Sequence, residues 1–295
     1  MKTRTAIGLA VIAIGVAGLI GAGLTYFQPQ DILAEKFAGT LESKLDNIGN
    51  DISNSINENS FSSEKDTQRE EGDLQLDVKN AKKLIVNSEV GNIHVVGAGS
   101  NTDGTLHFVK GVFGYSDAEA TKFLQNVKLD VVRNGDTVNV NVNDAANKWL
   151  KRLHIDLEIS IPETLDVQLT NKVGEITTQG LQSAVTVASE VGSINIQGYK
   201  GTVKANSKTG KLDIAGGQDI ASVNVETNVG KVIVALPADA NLNLEAQTDI
   251  GHINNELTLN DSHIDRQKVT GTLGDGSKGH VYIKTNAGSI DITKQ

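Results

Sequence analysis

Glycine returns in one local frame along this 295-residue chain, at Gly91, Gly174, Gly192, Gly210, Gly230, Gly251 and Gly288. From Gly174 onward the gaps are 18, 18, 20, 21 and 37 residues, the last reading as about two repeats with one glycine missing. Aligning on the glycine exposes four apolar columns. Seven residues before it stand Leu84, Val167, Val185, Val203, Val223, Leu244 and Val281. Five before it stand Val86, Leu169, Val187, Ala205, Val225, Ala246 and Ile283. Two after it come Ile93, Ile176, Ile194, Leu212, Val232, Ile253 and Ile290, and four after it Val95, Thr178, Ile196, Ile214, Val234, Asn255 and Ile292. The members of each column pair lie two residues apart, which is the strand period, so both face the same way.

Each repeat therefore holds two very short strands joined by a glycine-containing turn. A short strand with one apolar face cannot bury that face alone, and stacking successive copies supplies both a neighbour and a cover. The expected fold is all-β, a parallel β-solenoid or two-sheeted β-roll of short repeats with a narrow aliphatic core. The scarcity of aromatic residues, 4% of the chain, fits a thin core built from β-branched side chains. Three residues before each glycine comes a short polar side chain: Ser88, Asn171, Ser189, Ser207, Thr227, Thr248 or Thr285. Such side chains bond to turn backbone, while the glycine supplies a conformation costly for other residues. The seven glycines are accordingly read as structural turn positions rather than as a reactive site. The residues that follow them, and strand positions such as Asn195, Asp213, Asn224 and Asp291, vary in type and are expected on a polar outer face. That face is either plain solvated surface or a surface for a polymer or protein.

Between Gly97 and Pro162 the repeat stops. Ser116 followed by DAEATKFLQNVK predicts an N-capped helix, and LDVVRNGDTVNVNV predicts a hairpin turning at Asn134-Gly135. LHIDLEISIP alternates, with Leu153, Ile155, Leu157, Ile159 and Ile161 inward and His154, Asp156 and Glu158 outward. This helix-plus-hairpin block reads as an insertion or cap, covering either ordinary core or a pocket.

The N-terminal run AIGLAVIAIGVAGLIGAGLTYF lies in an uncharged stretch from Thr5 to Phe27, long enough to span a bilayer as a helix. Lys2 and Arg4 precede it and Asp31 and Glu35 follow, which predicts a cytoplasmic N-terminus and an external remainder. A cleaved signal peptide is the competing reading. Beyond it, Leu41, Leu45, Ile48 and Ile52 mark an amphipathic stalk, and Asn57 to Glu71 reads as a polar linker. The expected division is 1–27 tip and transmembrane helix, 28–73 stalk and linker, and 74–295 repeat domain with a 97–162 insertion. Small residues in the anchor, and the spacing of the stalk, allow weak self-association.

Little in the chain points to catalysis. With 27 basic and 36 acidic residues the formal charge is -9, which argues against nucleic acid as the main partner. The absence of cysteine removes disulfides, thiol nucleophiles and zinc-thiolate sites. The six histidines show no HExxH or ligand cluster, and no serine sits in a GxSxG elbow. No cofactor motif is present.

The segments ISIPETLDVQLTNKVGEITTQG, VTVASEVGSINIQG, VKANSKTGKLDIAG, VNVETNVGKVIVALP and GDGSKGHVYIKTNAGSIDI resemble a bacterial adhesin-like family, domain of unknown function 4097. The likeness runs from about Leu74 to Ile292 and is least typical from Gly97 to His154. It implies a right-handed parallel β fold, tethering to the envelope or export, and no defined enzymatic activity or catalytic residues. The expected function is a membrane-tethered, extracytoplasmic interaction or scaffold domain without catalysis. Its expected partners are the membrane, through residues 5–27, and a protein or wall polymer. An envelope-stress sensor acting through a membrane-protein partner is the alternative, and a polysaccharide-processing enzyme a third reading.

Overall fold

The computed structural model describes residues 66–99, 103–113, 116–144 and 153–295. The chain opens with β1 (Gln68–Leu76), β2 (Lys83–Val90), β3 (Ile93–Gly97) and β4 (Gly104–Val112). Helix α1 (Asp117–Asn126), a hairpin of β5 (Val127–Asn134) and β6 (Thr137–Asp144), and β7 (Leu153–Ile161) follow. The repeat strands are β8 (Asp166–Val173), β9 (Ile176–Gln179), β10 (Val185–Val191), β11 (Ile194–Thr209), β12 (Leu212–Val229) and β13 (Val232–Leu236). The chain closes with β14 (Leu242–Ile250), β15 (Ile253–Asn255), β16 (Asn260–Ile264), β17 (Lys268–Leu273), β18 (Gly279–Ala287) and β19 (Ile290–Lys294).

Alternation along these strands drives the fold. In β10 the inward residues Val185, Val187 and Ser189 are buried, while Thr186 and Ala188 between them are half-buried. Parallel pairing keeps like residues level: Val185 stands beside Val167 on one side and Val203 on the other. Ile194 likewise stands between Ile176 and Leu212. Val185, Ile194, Val203 and Leu212 are each at most 1% exposed and belong to one continuous aliphatic cluster. Asn255 is the one member of the four aligned apolar columns that turns out of this core, being half-exposed, whereas Thr178 is buried within it.

The open solenoid expected from the repeats is not what forms. All nineteen strands join one sheet, largely parallel, that curls round the single core as a near-closed barrel. β11 and β12 each run through both sides of it, the first part of β11 pairing with β9 and its second part with β10. Nor do the turns stack in chain order. β18 lies between β12 and β14, and β19 between β13 and β15. The gap of 37 residues after Gly251 therefore holds no degenerate repeat; it holds β17, which pairs antiparallel with β14, and β16, which pairs antiparallel with β17. At the other end β1, β4 and β7 form an antiparallel run. The physical reason is edge exposure. A stack of parallel repeats leaves unpaired strand edges at each end, and antiparallel strands pair with them.

The 97–162 block is also more than an insertion. β6 pairs in parallel with β2, and β7 with β3, so part of the block supplies a further turn of the same architecture. Helix α1 begins at Ser116, whose N–H and hydroxyl both donate to the Glu119 carboxylate at 3.3 and 2.7 Å. It ends at Asn126, because Val127 and Lys128 already pair with Asp144 and Asn143. The hairpin loop is Gly135-Asp136, one residue later than expected, with Gly135 at φ +60°.

The transmembrane helix expected over residues 5–27 and the stalk to residue 56 lie outside the described residues. Among the described residues no helix is long and apolar enough to cross a membrane. The single-pass topology, the signal anchor and the membrane partner expected through residues 5–27 are corrected to that extent: the described residues supply no such span. Of the stretch expected as a polar linker to Glu71, residues 68–71 belong to β1.

Candidate functional site

The seven phased glycines form a column along one edge of the barrel, at the turns between paired strands. All have φ between +128° and +154°, a region that L-residues rarely adopt. In spatial order the column runs Gly91, Gly174, Gly192, Gly210, Gly230, Gly288, Gly251, and a Cβ on any member after Gly91 would stand 1.9–2.1 Å from the carbonyl oxygen of the one before it. At Gly91 the obstruction is the Ile155 carbonyl, at 2.1 Å, because β7 supplies the adjacent turn. Three of the preceding polar residues brace this column. Asn171 donates to the Gly91 carbonyl at 2.7 Å, Thr248 to that of Gly288 at 3.0 Å and Thr285 to that of Gly230 at 3.3 Å. Packed this closely, the column offers a ligand no room.

A second column lies six residues further along each repeat, at Gly180, Gly198 and Gly216, with φ of +67°, +66° and +73°. The sequence reading missed it, although Gly97 occupies the same frame and the spacing is legible in the chain. These turns are looser: the nearest atom to a Cβ on Gly198 would be the Gly180 nitrogen at 3.5 Å. Here the surface opens into a bowl of about 890 Å³, walled by the Gly198 and Gly216 turns, the 237–242 loop, Lys278 and Gln295.

Tyr199 lines this bowl and is only 2% exposed. Its ring fits because its neighbour across the strand pair is Gly217, where a Cβ would stand 2.9 Å from the ring. The Tyr199 hydroxyl is buried and has no hydrogen-bond partner among the described residues. Burial pushes its pKa above the usual phenol range. On the rim Lys200 pairs with Asp219 at 3.3 Å, and Asp219 holds φ +54°. Asn241 is held in place at its Oδ1, which accepts the Asp275 N–H at 3.0 Å. This wall presents amides, bare backbone and balanced charge, a chemistry suited to holding a polar ligand.

A second groove of about 600 Å³ crosses the outer face of the strands beside the first glycine column. Its charged side chains largely neutralise one another, as in the Lys172–Glu89 and Lys208–Glu190 pairs.

Among the described residues a titratable cluster in the interior surrounds His154, expected outward from the alternation of its strand and in fact 1% exposed. Its ring lies against Gly111, where a Cβ would collide with Cε1 at 2.1 Å and with Asp66 Oδ2 at 2.4 Å. Burial first, then the nearby Arg69 charge, lowers the His154 pKa to about 4. Burial raises Asp66 to about 6, opposed by Arg69 and reinforced by Asp156. It also raises Asp156 to about 6, opposed by the Asn92 N–H, which donates at 2.8 Å. With a neutral imidazole at pH 7, the Asp66 and Asp156 contacts at 3.7 Å are not ion pairs. The imidazole is closed to solvent, while the Asp156 carboxylate is partly exposed. Among the described residues no group of three or more His, Asp or Glu side chains could hold a metal.

A family model described as Toastrack DUF4097 matches residues 66–293, most of the chain, and the chain belongs to that family. The family is a domain of unknown function. Among solved structures, a "putative cell adhesion protein" from Clostridium sporogenes is similar at 16% identity and a TM-score of 0.45, covering 77% of this chain and 100% of its own. A "putative adhesin" from Bacteroides fragilis is similar at 13% identity and a TM-score of 0.41, covering 76% of this chain and 97% of its own. A "putative lipid binding protein" from Parabacteroides distasonis is similar at 10% identity and a TM-score of 0.33, covering 76% and 96%. No curated protein matches the chain.

Proposed function

We propose that this Toastrack-family chain is an extracytoplasmic, adhesin-like interaction module that holds an envelope partner, a wall polymer or a protein, without transforming it. The observation that supports this most directly is the bowl beside Tyr199. It holds about 890 Å³ at one edge of the barrel, behind a wall of mixed polar and apolar residues. Its charged side chains are Lys200 and Lys278 against Asp219 and Asp239, with no histidine among the wall residues to serve as an acid–base group. Recognition sites placed on loops carried by a rigid scaffold are common, because the scaffold limits the entropy lost on binding.

The test is retention. Full-length protein is passed over purified cell-wall material and over an envelope-protein fraction. Saturable retention on at least one of them, competed by excess unlabelled protein, is expected. Failure to be retained on either would overturn the proposal.

A further inference from the structure

We infer that the Tyr199 bowl takes an uncharged, polyhydroxylated ligand, a segment of neutral saccharide chain. The inference rests on reading the domain as an interaction module and names the chemistry of what its site would hold.

Charge is the first argument. The chain as a whole is strongly acidic, at -9, yet the bowl wall carries two lysines and two aspartates. Lys200 already lies 3.3 Å from Asp219. A site for an anionic polymer would present unopposed cations, and a site for a basic peptide unopposed carboxylates. This wall presents neither.

The neutral polar groups supply the second argument. Gln182, Asn241 and Gln295 bring carboxamides to the wall, each offering both donors and an acceptor. A sugar hydroxyl also donates and accepts, so amide and hydroxyl satisfy one another in either sense. The Gln295 amide lies over the Gly216 turn, its Nε2 3.2 Å from where a Cβ would be. With no side chain at the exposed Gly198, a ligand can approach the backbone of that turn itself.

The Tyr199 hydroxyl is the third. A buried hydroxyl without a partner is costly, and strands elsewhere in this core carry aliphatic residues at inward positions. Phenylalanine would fill the same space without that cost. Tyr199 lines the bowl, whose wall mixes polar and apolar surface, and a ligand hydroxyl there supplies the missing partner. The bowl is open and near the upper end of the ~300–1,000 Å³ range for small-ligand sites, which suits a stretch of chain better than a single enclosed sugar.

The experiment titrates full-length protein with four tetrasaccharides by calorimetry: the β-1,4-linked N-acetylglucosamine, glucose and mannose tetramers, and anionic tetragalacturonate. Saturable binding of at least one neutral tetramer, and none of tetragalacturonate, is expected. Tyr199→Phe is expected to weaken it at least tenfold with an unchanged circular dichroism spectrum. The double variant Gln182→Ala/Gln295→Ala, on exposed rim positions, is expected to weaken it similarly. It guards against Tyr199→Phe acting through packing alone. No saturable binding of any neutral tetramer, a preference for tetragalacturonate, or binding unchanged in both variants would overturn the inference. Retention on the envelope-protein fraction that survives Tyr199→Phe would also overturn it, while leaving the interaction module standing. Loss of retention on all envelope material would instead remove the module itself.

Discussion

The Cβ that Gly192 lacks would stand 2.0 Å from the carbonyl oxygen of Gly174. The two turns are pressed together because the Gly174 N–H donates to the Val191 carbonyl at 3.0 Å, while the flanking strands β8 and β10 pair in register. The glycine column thus sets how closely successive turns approach.

Gly192→Ala should therefore be far more damaging than an ordinary glycine substitution. It meets backbone, which cannot swing aside, and it adopts a positive φ of +139°. Loss of at least ~3 kcal/mol is expected. Gly135→Ala is the matched control: its φ is +60° but nothing lies within 4 Å of the added Cβ, so only the ~1–2 kcal/mol left-handed penalty applies. Urea denaturation of both variants checks the contrast, and equal losses would refute the close-approach argument.

Ile194→Asp should unfold the domain, because Ile194 is 0% exposed between Ile176 and Leu212 and an unpaired buried carboxylate costs several kcal/mol. Lys204→Asp, at an exposed position of β11, should change stability by about 0.5 kcal/mol or less. Thermal melts of the two variants distinguish the inward from the outward face.

Asp156→Asn should stabilise the protein at neutral pH. The folded-state pKa of Asp156 is raised from 3.8 to about 6, so its favourable contribution is fully present below pH 3.8 and is lost as pH rises through 6. Asparagine keeps an acceptor for the Asn92 N–H and carries no charge. A gain of roughly 1–3 kcal/mol at pH 7.5, vanishing by pH 4, is expected from a shift of this size. His154 works in the opposite sense: its pKa falls from 6.5 to about 4, so its contribution is present above pH 6.5 and is lost as pH falls through 4. Denaturant titrations of the variant and the wild type between pH 4 and 7.5 read the difference directly; a gain independent of pH would show that Asp156 is not the group involved.

Tyr199→Phe should leave stability unchanged or raise it by up to about 1 kcal/mol, since it removes a buried hydroxyl that has no partner. A loss above 2 kcal/mol in urea would mean that the hydroxyl is hydrogen-bonded in the folded protein.

Much of the local structure was readable from residue order. The period of two in Val185, Val187 and Ile194, Ile196 marks strands and their inward faces, and the phased glycines mark the turns between them. The second column at Gly180, Gly198 and Gly216 is equally legible, six residues beyond the first. His154 was not readable. Alternation along β7 places it opposite Leu153 and Ile155, and only the approach of Asp66 and of the bare Gly111 backbone buries it. The Tyr199 bowl was equally hidden, since its wall draws on Gln182, Lys278 and Gln295, residues from three distant parts of the chain.

The chain order alone dictated strand, face and turn, because those follow from backbone sterics and the two-residue alternation of side chains, which act between near neighbours. Which turn lies beside which is a different matter. Parallel strands with the same valine and isoleucine pattern pair almost equally well with any copy of themselves, so the placing of β18 between β12 and β14, and the antiparallel strands at both ends, were decided only when the sheet closed over a single core.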